Sequence, residues 1–204
     1  MLILALCAII IGGTVALSLP ICRTQSIAFI DLLFTTVSTV CVTGLQTVPL
    51  TAFTQAGHWV ILILMQIGGL GLMTFSFFIA SLFLNLGMTS KLLAGQMFEF
   101  ESWSKIKTFL STIIGVTLGL EGLGALALYR DFVQDMHSSQ AVFYAIFHAV
   151  SAFCNAGISL FEHNLIPFNG NIYVLSILGF LVVAGGIGFI VWYEVAYGLK
   201  NLYC

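Results

Sequence analysis

An all-α membrane protein made of two tandem copies of one unit is the fold class this sequence predicts, on three observations. The first is composition. Of 204 residues, 60% are hydrophobic and 7% charged, with mean hydropathy +1.10. A water-facing domain carries about 25% charged residues, so this chain cannot clothe itself in polar surface. The second is pattern. Apolar runs approach the roughly 20 residues that cross a hydrocarbon layer of about 30 Å, and the strict alternation of a membrane barrel is absent. The third is self-similarity. FTTVSTVCVTGL at 34–45 returns at 147–158 as FHAVSAFCNAGI, an offset of 113 that aligns Phe34 with Phe147, Val37 with Val150, Ser38 with Ser151, Cys41 with Cys154 and Gly44 with Gly157.

Taken in order, residues 2–19 form a first apolar span, stopped by Pro20. A short exit holds Arg23. Ser26 is placed to cap a new helix, with Asp31 in its first turns, where a carboxylate suits the helix dipole. That helix runs to about Val40. At 1.5 Å per residue it reaches roughly 20 Å, too short to cross and therefore re-entrant. Residues 41–47 carry the glycine turn, and Pro49 prevents continuation. A second span follows at 58–85, with GGLG at 68–71. Residues 87–107 gather Lys91, Glu99, Glu101, Lys105 and Lys107 into an aqueous loop. The third span covers 108–129 with Glu121 inside it, and a second aqueous loop covers 130–137. Ser138 or Ser139 caps a second short helix that ends near Phe153. The second glycine turn, a polar segment at 162–171 and a fourth span at 172–197 complete the chain, with GGIG at 185–188 and Lys200 just beyond.

The glycine clusters repeat at an offset of 117. The units are therefore 1–86 and 108–204, each a span, a half-span and a span, joined by the 87–107 loop. Four spans and two re-entrant half-helices result, a duplication of the kind membrane transporters use. Two full spans per copy make the repeat parallel. Lys91, Lys105, Lys107 and Lys200 lie on one side, Arg23 and Arg130 on the other. The positive-inside rule then puts 87–107 in the cytoplasm and both glycine turns outside. The first span lacks the basic start of a signal peptide and is read as retained. Five dispersed cysteines without a CxxC argue against a disulfide framework or a zinc site. No basic tract points to nucleic acid.

Irregular backbone at membrane depth is tolerated only where it is buried in protein or lines a watery cavity. Two such turns imply a cavity. Small residues and a glycine let successive carbonyls turn toward one axis and replace the hydration shell of an ion. Val42, Thr43, Gly44 and Leu45 in the first copy, and Asn155, Ala156, Gly157 and Ile158 in the second, meet that demand. The C-terminal ends of the two short helices, near Val40 and Phe153, add negative potential that favours a cation. Glu121 is a functional candidate as an intramembrane carboxylate, against a structural role bonded to a neighbouring helix. His148 reads as a packing or hydrogen-bonding histidine, since no second histidine stands at its depth. The glycine clusters read as sites of close helix approach. An enzyme is excluded as the leading class, because neither GxSxG nor HExxH occurs.

Five stretches carry a resemblance: IDLLFTTVSTVCVTGL (30–45), ILILMQIGGLGLMTF (61–75), LEGLGAL (120–126), VFYAIFHAVSAFCNAGISLF (142–161) and GGIGFIVW (185–192). Together they resemble the Trk/Ktr/HKT superfamily of potassium transporters, closest to the bacterial Ktr/Trk membrane subunit. The resemblance implies M1–pore helix–M2 units, four of them around one pore, with filter glycines at Gly44 and Gly157. It implies potassium as transported substrate, with sodium or mixed transport as the alternative and a non-conducting assembly subunit as another. It implies no cofactor, a multi-pass place in the plasma membrane, a cytoplasmic nucleotide-binding regulatory subunit, and a homodimer of full-length subunits. Only two units are present here. An N-terminal half of a longer protein is the expectation, ahead of two copies pooling four loops. The family's gate and the basic residue of its fourth unit have no counterpart in this sequence.

Overall fold

The computed structural model describes residues 2–83, 103–188, 191, 192 and 195. Those residues are helical, without a β-strand among them; Arg23 and Phe53 form an isolated bridge. The helices are α1 (Leu2–Ser18), α2 (Phe29–Val40), α3 (Gln55–Phe83), α4 (Trp103–Phe132), α5 (Ser138–Phe153) and α6 (Ile172–Gly186). Ser111–Phe132 is the stretch among the described residues that is long and apolar enough to cross a membrane on its own.

The short helices form for the reasons expected, but they start differently. Helix α2 has 12 residues and α5 has 16, which gives about 18 and 24 Å, both short of a hydrocarbon layer. Asp31 lies in the first turn of α2. Ser26 does not cap it: extended Ala28 holds the cap position without a side-chain bond. At α5 the cap position belongs to His137, and neither Ser138 nor Ser139 caps; Ser139 Oγ instead meets His137 Nδ1 at 3.2 Å. The extended cap residues accept the first helical bonds through their own carbonyls, Ala28 O from the Asp31 and Leu32 N–H groups and His137 O from the Ala141 N–H.

Two span boundaries also differ. Helix α4 begins at Trp103, inside the stretch expected to be loop, and carries Arg130 in its last turn. The apolar run simply extends a helix whose polar ends are good helix formers. Helix α6 stops at Gly186, and Gly188 has φ +91°, so the stretch expected as one span to residue 197 is broken at GGIG. The matching GGLG stays helical inside α3. Residues 84–102, with most of the expected cytoplasmic loop, and Lys200 lie outside the described residues.

The chain divides into two compact units, one of Met1–Leu70 with Leu120–Gly186 and one of Gly71–Gly119 with Ile187–Cys204. The first holds both glycine turns. One core joins α1, α2, α3 and α5 through Leu17, Leu32, Ile61, Met65, Phe147 and Val150. A second joins α4, α5 and α6 through Leu128, Phe132, Ala145, Ala149, Val174 and Leu181. The second compact unit contributes the remainder of α3 and the beginning of α4.

Glycine makes this packing possible at two related points. A Cβ at Gly68 would strike the carbonyl oxygen of Val40, the last residue of α2. A Cβ at Gly185 would strike the carbonyl oxygen of Phe153, the last residue of α5. Each long helix thus crosses the C-terminal end of its own short helix at a glycine. Gly69 extends the contact to the other copy, where a Cβ would lie 2.5 Å from Cys154 Sγ. Beside it, Gln66 Nε2 donates to both oxygens of the buried Glu121, at 3.0 and 3.1 Å. Glu121 therefore ties α4 to α3, the structural role weighed for it.

Two stability outcomes follow. Gly68→Ala and Gly185→Ala must displace backbone, so each should lower the denaturation midpoint of detergent-solubilised protein by the equivalent of about 1–3 kcal/mol. Gly12→Ala, which meets open space, should be neutral or stabilising by up to about 1 kcal/mol. Glu121→Leu strands the Gln66 amide and should cost about 1–3 kcal/mol. Glu121→Gln keeps an acceptor and should cost less, and the Gln66→Leu/Glu121→Leu double variant should lose less than the sum of its parts.

Candidate functional site

The two glycine turns have one backbone conformation. Val42 and Gly44 sit at φ +56° and +73°; Asn155 and Gly157 sit at +59° and +66°. Left-handed residues therefore occupy the first and third positions of each loop, at the sequence offset of 113. The residue between them, Thr43 or Ala156, is not left-handed. Glycine tolerates a left-handed φ freely. Val42 does not, because a branched Cβ crowds the backbone there, at about 1–2 kcal/mol.

Hydrogen bonds to the short helices hold both loops in place. Cys41 N–H donates to Val37 O at 2.8 Å, and Cys154 N–H to Val150 O at 2.8 Å. Val42 N–H donates to Thr39 O at 3.2 Å, and Asn155 N–H to Ala152 O at 3.0 Å. Thr43 N–H reaches Ser38 O at 2.9 Å, and Ala156 N–H reaches Ser151 O at 2.8 Å. Three bonds per loop are thus matched partner for partner. They consume the terminal carbonyls of each helix and orient the strained residue that follows.

The aligned serines, noticed in the sequence only as part of the repeat, bond the loops in this geometry. Ser38 Oγ bonds Thr43 Oγ1 at 2.8 Å. Ala156 offers no hydroxyl at the equivalent place, and Ser151 reaches further. Its Oγ donates to Ile158 O at 2.6 Å and accepts the Ile158 N–H at 2.9 Å. A serine kept at the same place near the end of both short helices was the available signal.

The loops meet. A Cβ at Gly44 would lie 2.5 Å from Ala156 O, with Gly157 Cα at 3.6 Å. Of the eight residues singled out from sequence, Thr43, Gly44, Ala156 and Gly157 therefore come together directly or stand beside the junction. Val42 and Gly44 are half-buried, Ala156 and Ile158 buried, and Thr43, Asn155 and Gly157 exposed. Leu45 is 61% exposed, unlike its counterpart Ile158 at 3%. His148 is buried among Phe132, Tyr144, Phe147 and Phe161, where it serves packing and hydrogen bonding.

This geometry belongs to a chain with clear relatives. The family model for cation transport proteins of the TrkH type matches residues 3–201. The Ktr system potassium uptake protein B of Bacillus subtilis strain 168 is 37% identical over 194 residues, which cover 94% of this chain and 43% of that protein. The potassium/sodium uptake protein NtpJ of Enterococcus hirae is 34% identical over 191 residues, covering 92% of this chain and 42% of that protein. The Ktr system potassium uptake protein B of Vibrio alginolyticus is 33% identical over 192 residues, covering 93% and 42%. The chain therefore spans less than half the length of these relatives. They are membrane transporters and not enzymes. The match along nearly the whole sequence places this chain in the TrkH family of cation transport proteins, as a membrane subunit of the Trk/Ktr type.

Proposed function

We propose that this chain carries potassium across the plasma membrane through a pore lined by backbone carbonyls, and that it supplies two of four pore loops. In this reading α1–α2–α3 and α4–α5–α6 are two span–pore helix–span repeats, at 1–86 and 108–204, joined by a cytoplasmic segment at 87–107. Val42, Thr43, Gly44 and Leu45 form one filter strand; Asn155, Ala156, Gly157 and Ile158 form the other. The carrying observation is the shared left-handed pattern of the two loops with their matched bonds to the short helices. Carbonyls held in fixed positions can replace the hydration shell of a cation without side-chain charge, and the helix C-termini beneath them add negative potential.

Unequal burial of equivalent residues supports the four-loop count. Phe143, Phe147, Val150 and Ile158 of the second copy are buried in the core shared with α3. Their counterparts Ile30, Phe34, Val37 and Leu45 in the first copy are exposed, Phe34 by 39% against 0% for Phe147. At the other end Met65 of α3 is buried while Val182, its counterpart in α6, is exposed. One copy thus presents an uncovered short-helix face and the other an uncovered long-helix face. A head-to-tail contact of this kind repeats until the ring closes, and further units of the same design would cover both faces. A cytoplasmic nucleotide-binding subunit and a dimer of full-length subunits are carried into this proposal from the family resemblance.

Sodium or mixed transport is the second reading, favoured by the name of the Enterococcus hirae relative. The two are separated in cells that lack potassium uptake and express the assembled transporter, by comparing rubidium with sodium influx. Preference for rubidium is expected. Gly44→Ser or Gly157→Ser forces a side chain into the left-handed region at about 1–2 kcal/mol, so the preference should fall roughly tenfold. Unchanged selectivity in a conducting complex would overturn the filter assignment.

A further inference from the structure

The second loop is fastened at its outer end by a device the first loop lacks. His148 Nδ1 lies 2.8 Å from Tyr144 O. A carbonyl can only accept, so Nδ1 carries the proton and Nε2 is left as an acceptor. Nε2 lies 2.9 Å from Ser159 Oγ, whose hydroxyl therefore donates to it. Ser159 Oγ in turn accepts the Phe161 N–H at 3.2 Å. The Phe161 ring then packs on the imidazole, with centroids 4.7 Å apart and planes at 31°. His148 and Ser151 stand one turn apart on α5, so two adjacent side chains grip two successive residues, Ile158 through Ser151 and Ser159 through His148.

The first loop has no equivalent. Thr35 stands at the position of His148, and its hydroxyl turns back to Asp31 O at 2.8 Å within its own helix. Gln46, at the position of Ser159, is exposed. Among the described residues, no side chain of α2 bonds the loop beyond Thr43.

Resting on the filter reading above, we propose that His148 is a positioning residue for ion selectivity, which through Ser159 fixes the outer end of the second filter strand. Selection between cations of one charge depends on where carbonyl oxygens are held. Ile158 is the last filter residue of this strand; Ser151 holds its N–H and carbonyl, and His148 holds the next residue, Ser159, so that the strand cannot slide away from α5 at that end. His148 never touches the ion in this arrangement. Loss of its bond should loosen discrimination more than total flux.

The test is the ratio of rubidium to sodium influx in cells lacking potassium uptake and expressing the assembled transporter. His148→Phe keeps an aromatic ring in the cage and removes both hydrogen bonds. Ser159→Ala removes the same link from the other side and leaves the cage intact. Each should lower the ratio about fivefold, the scale of one hydrogen bond, with total rubidium influx changed less. The double variant should match the single ones, because they break one link. His148→Gln, whose side-chain carbonyl can accept from Ser159, should restore part of the ratio. A normal ratio in both single variants, while Gly157→Ser lowers it, overturns this inference and leaves the filter reading standing. Fully additive losses overturn it as well. A normal ratio in Gly157→Ser would remove the filter reading itself, and the inference with it.

Discussion

Backbone that departs from helix inside a hydrocarbon layer must find its hydrogen bonds within the protein. The two glycine turns leave the helix and still find theirs, and much of the first compact unit contributes to that. Each short helix ends in carbonyls that accept the first three N–H groups of its loop. Each helix end is roofed by a glycine of the following long helix, Gly68 over Val40 and Gly185 over Phe153. The strain at Val42 persists because the surroundings over-determine it.

The two copies use one plan with different fittings. In the first, Ser38 grips Thr43 by a hydroxyl–hydroxyl bond, and the chain beyond is exposed. In the second, alanine replaces threonine at that position, and the grip moves outward to Ile158 and Ser159. Burial follows the same division. The second short helix lies within a core shared with α3, whereas the equivalent face of the first is uncovered. Glu121 and Gln66 add a polar tie between α4 and α3.

Much of this was legible in the sequence. The half-span lengths, the positions of both turns and the alignment of Ser38 with Ser151 follow from spacing and repetition. Asp31 lies in the first turn of its helix, and His148 is a packed, hydrogen-bonded residue, as their settings implied. The helix caps were misjudged. A serine before an apolar run is an N-cap only if the chain bends there, and in both places the bend falls at a residue without a capping side chain. The break at GGIG was missed because GGLG and GGIG are nearly the same in sequence. One stays helical and the other does not.

Composition and apolar run length by themselves determined that the chain is a helical membrane protein, and the offset of 113 located two similar loop segments, because those are properties of the chain read residue by residue. Which serine grips which loop residue, which glycine roofs which carbonyl, and which of two equivalent faces is buried were decided only in three dimensions. Those contacts join residues many positions apart. Their partners are chosen by the hand of the backbone at Val42, Gly44, Asn155 and Gly157, and at Val42 the local propensity of a branched side chain points away from that conformation.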